Sequence, residues 1–119
     1  MKKNTILVVE DDLEIKTLIQ FFLEKENFNV ITAQNSGKAL EMLQNNKPEL
    51  VILDIMLPGL NGLEIAKLIK KESYKYGTPF IFMLTAKTET EDVIDGFQAG
   101  CDDYLRKPFD PRELILRIK

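Results

Sequence analysis

Five short runs of apolar, aromatic or β-branched residues recur along the chain, separated by longer and more polar segments. They occupy residues 5–9, 28–33, 49–53, 79–84 and 103–106. Runs of this length and composition predict strands. The unbroken apolar character of the third run is typical of a strand that is buried on both faces. Phe80, inside the fourth run, is likewise expected to lie in the core.

Between these runs, apolar residues recur at the three- and four-residue spacing of helices. Helices are predicted over residues 13–26, from 36 to about 46, over 63–69, over 88–99 and from 111 onwards. Asp12, Ser36 and Asp110 stand at the starts of three of them and are predicted as N-caps. For Asp12 this role is favoured over metal binding. Residues 70–77 are predicted to form a polar loop.

The alternation of five strands with five helices favours right-handed crossovers and a parallel sheet that is covered on both faces. A glycine fingerprint for dinucleotides and a P-loop are both absent from the sequence. We therefore predict an α/β, flavodoxin-like, doubly wound sheet with strand order 2-1-3-4-5. The last helical pattern is still running at residue 119. We expect residues 1–119 to form a single domain whose last helix is cut short by an artificial boundary.

Composition narrows the class of protein. Hydrophobic residues make up 45% and charged residues 29% of the 119 residues, which is ordinary for one globular domain. The net charge of −3 argues against a nucleic-acid-binding surface on this domain. No apolar run is long enough for a membrane span or a signal peptide, so a cytoplasmic location is expected. Cys101 is the only cysteine and is expected to be a small buried side chain.

Polar side chains follow the strands at the edge where a parallel sheet binds its ligands. Glu10 and Asp11 come after the first strand, and Asp54 comes after the third. Thr85 follows the fourth strand, and Lys107 lies in the loop after the fifth. Because three of these five side chains are carboxylates, they are expected to repel one another. At a separation of ~4 Å two unit charges interact by about 4 kcal/mol at an effective dielectric constant near 20.

Either one of the carboxyl groups takes up a proton or a cation binds between them. An oxygen-only cluster in a chain without histidine suits Mg²⁺. Lys107 adds a positive charge and Thr85 a hydroxyl donor, both useful to phosphoryl oxygens. The combination favours phosphoryl transfer with Asp54 as the nucleophile. For Glu10, the alternative is a solvated charge at the edge of the sheet.

Four motifs in this order resemble the receiver domain of bacterial response regulators, the CheY-like form of the flavodoxin-like fold. The motifs are Val8-Val9-Glu10-Asp11-Asp12, Asp54-Ile55-Met56-Leu57-Pro58 with Gly62, Leu84-Thr85-Ala86, and Lys107-Pro108-Phe109. The resemblance covers the whole chain. It implies that Asp54 is the phosphoacceptor and that Asp11, Asp54 and the backbone carbonyl of Met56 bind Mg²⁺. Glu10 would act on the metal through water.

The resemblance also assigns roles around the phosphoryl group. Lys107 would pair with it, and the peptide bond between Lys107 and Pro108 would be cis, which is a conformation largely confined to proline. Thr85 and Tyr104 would form a switch pair, in which the hydroxyl moves to a phosphoryl oxygen and the ring turns inward. The resemblance also implies that the residues two positions after Asp54 and after Thr85, here Met56 and Lys87, tune dephosphorylation. Since neither offers a carboxylate or amide that could orient a hydrolytic water, self-dephosphorylation is expected to be slow.

The C-terminal part of the sequence is similar to receivers that precede a winged-helix DNA-binding domain. That subfamily dimerises on phosphorylation through the fourth helix, fifth strand and fifth helix. Charged residues that could supply this face are Asp102, Asp103, Glu113, Arg117 and Lys119. Val93 and Gln98 stand where that subfamily usually carries a basic and an acidic residue, so a homodimer is expected to be weaker or more apolar. DNA would be bound only by the missing output domain.

A histidine kinase or phosphotransfer protein is the implied phosphodonor, docking around residues 13–18. The domain is expected to be no enzyme beyond its own aspartyl phosphorylation and dephosphorylation. Other classes remain open: a stand-alone receiver or one in a hybrid protein, a pseudo-receiver that only binds, or a metal-dependent phosphatase. The phosphatase is disfavoured because Met56 stands where such enzymes usually carry a second Asp. The pseudo-receiver is disfavoured because Asp54, Thr85 and Lys107 are all present.

Overall fold

The structure, a computed structural model, describes residues 4–55, 57, 59–85 and 100–119. Its strands are β1 (Thr5–Val9), β2 (Asn29–Ala33), β3 (Leu50–Asp54), β4 (Phe80–Thr85) and β5 (Asp103–Arg106). They form one sheet in the order β2-β1-β3-β4-β5, and every neighbouring pair is parallel. The predicted flavodoxin-like architecture is confirmed, since both the strand order and the parallel pairing are those predicted.

The helices of the described residues pack on both faces of this sheet. They are α1 (Leu13–Lys25), α2 (Ser36–Asn46), α3 (Gly62–Lys71), α4 (Ser73–Tyr76) and α5 (Pro111–Ile118). The helix predicted over residues 88–99 lies outside the described residues. The prediction of a loop over residues 70–77 is wrong in part, because α4 forms there and places Tyr76 in the core with 4% of its surface exposed. No helix among the described residues is long and apolar enough to cross a membrane.

Alternate residues of the central strands enter two separate core layers, as expected for a parallel sheet covered on both faces. One layer contains the side chains Leu7, Val9, Val51, Leu53, Ile81 and Met83, with residues of α2 and α3. The other contains Ile6, Val8, Ile52, Phe82 and Leu84, with residues of α1 and α5. Cys101 is buried, as predicted. The prediction for Phe80 is wrong: 41% of its surface is exposed, and it is the first residue of β4, at the amino-terminal edge of the sheet.

Two of the three predicted N-caps are confirmed. The Asp12 carboxylate accepts hydrogen bonds from the backbone of α1, and Asp110 does the same for α5. The third is wrong by one residue. Asn35 has an extended backbone and its Oδ1 accepts from the Lys38 N–H at 2.8 Å, while Ser36 is already the first residue of α2. Since Asn and Ser are comparably good caps, sequence alone does not separate the two positions.

Candidate functional site

The carboxyl-terminal edge of the sheet brings the predicted side chains together. Asp54 is the last residue of β3 and Thr85 the last residue of β4, each within the strand rather than after it. Glu10 directly follows β1, whose neighbour on one side is β3. Parallel strands end at a common edge, so residues from distant parts of the chain converge there. Asp54 and Thr85 are almost completely buried, with 4% and 2% of their surfaces exposed.

Lys107 connects two of the carboxylates. Its Nζ donates to Glu10 Oε1 at 2.7 Å and to Asp54 Oδ2 at 2.8 Å. Its backbone N–H donates to the Thr85 carbonyl at 2.7 Å, which fixes the loop after β5 against the end of β4. The peptide bond that follows Lys107 is cis, as predicted. The side chain of Lys107 is thus directed into the acidic cluster and not into solvent.

Burial and charge together set the protonation equilibria of this cluster. Glu10 has no exposed surface, and this burial raises its pKa to about 7, against the opposing effect of the hydrogen bond from Lys107. The alternative of a solvated charge is therefore wrong. Burial would lower the pKa of Lys107, but its hydrogen bonds with Asp54 and Glu10 outweigh that effect and raise it. The ammonium group remains charged and compensates for part of the negative charge.

The cluster has the composition of a magnesium site. Carboxylate oxygens of Glu10, Asp11 and Asp54 lie within 4.8 Å of one another, and Asp11 is exposed toward solvent. Mg²⁺ prefers oxygen ligands and retains several waters, so an open cluster of few carboxylates suits it. The donor set therefore fits the ion. Met56, whose backbone carbonyl was expected as a further ligand, lies outside the described residues.

The loop between Asp54 and α3 is held at both ends. The Gly62 N–H donates to the Ile55 carbonyl at 3.0 Å. Asn61 and Glu64 form a reciprocal capping box that starts α3. A further restraint comes from α2, where Ser36 Oγ accepts a hydrogen bond from the Leu60 N–H at 3.0 Å. Sequence reasoning does not reveal this contact, because the local pattern predicts Ser36 as a helix cap and a bond across 24 residues leaves no local signal.

The predicted switch residues lie on adjacent strands and share one face of the sheet. Tyr104 is in register with Met83, and Thr85 follows Met83 by two residues. Because side chains alternate along a strand, Thr85 and Tyr104 point to the same side. Tyr104 is partly buried and packs against the core layer under α2 and α3. This placement is compatible with the predicted pairing, which stays a prediction.

The charged residues predicted for a dimer face have partners within the chain. Asp102 Oδ2 accepts from the Ile81 N–H at 2.8 Å. Arg117 approaches Asp103 at 3.3 Å and Glu113 at 3.4 Å. Lys119 instead pairs with Glu26, the residue after α1, at 3.1 Å. Dimerisation through these residues also stays a prediction.

Comparison with known proteins agrees with this geometry. Residues 6–119 match the family model described as the response regulator receiver domain. The chain is 44% identical over 114 residues to the alkaline phosphatase synthesis transcriptional regulatory protein PhoP of Bacillus subtilis, covering 96% of this chain and 46% of PhoP. It is 41% identical over 119 residues to the phosphate regulon transcriptional regulatory protein PhoB of Pseudomonas aeruginosa, covering 100% of this chain and 52% of PhoB.

A solved structure gives the same result. The response regulator DrrB of Thermotoga maritima, an OmpR/PhoB homologue, superposes with a TM-score of 0.88 at 33% identity, covering 99% of this chain and 52% of DrrB. The chain belongs to the response-regulator receiver family of two-component systems. Its sequence is close to the receivers of the OmpR/PhoB transcription regulators. It spans about half the length of the curated relatives that it matches.

Proposed function

We propose that this domain accepts a phosphoryl group on Asp54 from a histidine kinase or phosphotransfer protein, with Mg²⁺ as cofactor, and thereby switches an output. The observation that carries the proposal is the position of the Lys107 ammonium, which is within hydrogen-bond distance of Asp54 and Glu10 beside a third carboxylate. A carboxylate nucleophile, a cationic partner and an oxygen-rich metal site are the parts that phosphoryl transfer to a side chain requires.

In the proposed reaction an Asp54 carboxylate oxygen attacks the phosphorus of the donor. A new O–P bond forms, the P–N bond to the donor histidine breaks, and the imidazole leaves with the electron pair and takes up a proton. Lys107 turns from the carboxylate to an oxygen of the transferred group, and the Thr85 hydroxyl donates to another. Mg²⁺, held by Asp11 and Asp54 with Glu10 acting through water, would neutralise negative charge on the phosphoryl oxygens.

On this proposal the domain catalyses its own phosphorylation and dephosphorylation and no reaction on a separate substrate. The test is incubation with acetyl phosphate, with and without MgCl2, followed by intact mass measurement. We expect a Mg²⁺-dependent gain of one phosphoryl group that Asp54→Ala abolishes. Asp12→Asn is the matched control, because it removes an adjacent carboxylate while keeping an amide oxygen for the cap of α1. An adduct on Asp54→Ala, or none on the wild type, would contradict the proposal.

The output is proposed from the relatives. PhoP of B. subtilis and PhoB of P. aeruginosa are named as transcriptional regulatory proteins and are about twice as long as this chain. We infer that the corresponding longer protein couples the receiver to DNA binding and that phosphorylation promotes a homodimer. Size-exclusion chromatography of the phosphorylated domain tests the dimer. An unchanged monomer at high concentration would favour a different output.

A further inference from the structure

We propose that Ser36 is a positioning residue for the metal site: its hydroxyl holds the loop after Asp54 in the conformation that binds Mg²⁺. This inference rests on the proposed function. Ser36 belongs to α2, a helix that contributes no side chain to the acidic cluster. Its Oγ nevertheless accepts a hydrogen bond at 3.0 Å from the backbone of Leu60, inside the loop that joins Asp54 to α3.

The hydroxyl is available for this contact because another residue caps the helix. Asn35 satisfies the N–H of Lys38, so the Ser36 side chain is not used at its own helix start. Ser36 is 8% exposed, which places its hydroxyl beneath the loop and not in solvent. A serine at a helix start would ordinarily bond within its own first turn. Here it bonds to a segment 24 residues away.

The loop is shaped to receive this hydroxyl. Gly59 has a φ of +83°, and a Cβ added there would overlap Ser36 Oγ. The absence of a side chain at Gly59 leaves room for Ser36 Oγ, and the N–H of Leu60 donates a hydrogen bond to it. The loop thus depends on Ser36 for its approach to α2, in addition to the bond between Gly62 and Ile55 at its base.

The same loop bears on the metal through Asp54. It begins directly after Asp54, a carboxylate of the acidic cluster, and its other end bonds back to Ile55, the residue that follows Asp54. Groups that orient metal ligands from outside the coordination sphere typically change affinity by about 10–100-fold when removed. Ser36 acts on the loop and not directly on a ligand. A smaller effect, about threefold to tenfold in the dissociation constant for Mg²⁺, is therefore expected.

The experiment is a titration of the ¹⁵N-labelled, metal-free domain with MgCl2, monitored by amide chemical shifts, with amide hydrogen exchange of Leu60 measured in the absence of metal. In Ser36→Ala, we expect the Mg²⁺ dissociation constant to rise about threefold to tenfold and Leu60 to exchange at least about tenfold faster. Ser36→Thr keeps the hydroxyl and should stay within about twofold of the wild-type constant.

Asn46→Ala is the matched control. It removes a side chain–backbone hydrogen bond, from Asn46 Nδ2 to the Met42 carbonyl at 3.0 Å, at the opposite end of the same helix. It should change neither Mg²⁺ affinity nor the exchange of Leu60. Wild-type affinity in Ser36→Ala, or an equal loss in Asn46→Ala, would overturn the inference while leaving the proposed function intact. A wild-type domain that shows no Mg²⁺-dependent shifts would overturn both.

Discussion

Gly62 offers the sharpest test of how the fold holds Asp54. It is the first residue of α3, and its N–H bonds to the Ile55 carbonyl. A Cβ added at Gly62 would lie 2.5 Å from the Asp54 carbonyl oxygen and 3.0 Å from Ile55 Cα. These are backbone atoms that cannot rotate away. The requirement for glycine here comes from close approach, not from a left-handed backbone.

We therefore expect Gly62→Ala to force the chain at Asp54 to move. Overpacking of this kind costs about 1–3 kcal/mol. For a domain of 119 residues each 1 kcal/mol lowers the melting temperature by roughly 3–6 °C. Because the displaced backbone carries the nucleophile, phosphorylation by acetyl phosphate should also slow by at least about tenfold. Urea unfolding and the initial rate of adduct formation measure the two effects separately.

Gly37→Ala is the matched control. A Cβ at Gly37 would meet Asn35 Oδ1 at 3.6 Å, an ordinary contact, inside α2. At such a compatible position alanine stabilises by about 0.4–1 kcal/mol, chiefly by reducing the entropy of the unfolded chain. The reasoning fails if Gly62→Ala matches the wild type in stability and rate, or if Gly37→Ala is as damaging.

Three further outcomes follow from local geometry. Lys47 follows the last residue of α2 and has a left-handed φ of 44°. Lys47→Gly should raise the free energy of unfolding by about 0.5–1 kcal/mol, because relief of the left-handed strain outweighs the added entropy of the unfolded chain. Urea unfolding measures this, and a lower urea midpoint would contradict it. Burial raises the pKa of the Cys101 thiol to about 11, which leaves little of the reactive thiolate at pH 8. Reaction of the folded domain with Ellman's reagent at that pH should therefore be roughly a hundredfold slower than that of the unfolded chain. Equal rates would refute this prediction. Hydrogen bonds from Arg112 lower the pKa of Asp110. The Asp110 carboxylate therefore stabilises the fold above its unfolded pKa of about 3.9, and this contribution is lost as the pH falls through the lower folded pKa. In Asp110→Asn, the urea midpoint should fall less steeply with decreasing pH in this acidic range. An unchanged pH dependence would exclude the effect.

The amino-acid sequence determined the elements and the chemistry that they carry. The five strands follow from short apolar runs, and their parallel order follows from the alternation with helices, because crossover handedness leaves few arrangements. The same reasoning placed Glu10, Asp54 and Lys107 at one edge. The sequence pattern shows where each strand ends, and the parallel topology brings those ends to one edge of the sheet.

Only the tertiary structure decided the contacts between segments that are distant in the chain, because such contacts leave no periodic signal in the sequence. Asn35 rather than Ser36 caps α2. Both residue types suit the cap position locally, and the choice becomes clear only when the Ser36 hydroxyl is seen to bond to the loop packed against it. Residues 70–77 include a short helix, α4, because the Tyr76 side chain packs in the core. Lys107 meets both Glu10 and Asp54 at hydrogen-bond distance, and burial of Glu10 then raises its pKa. Distances and desolvation belong to the folded molecule, because they exist only after separate segments have come together.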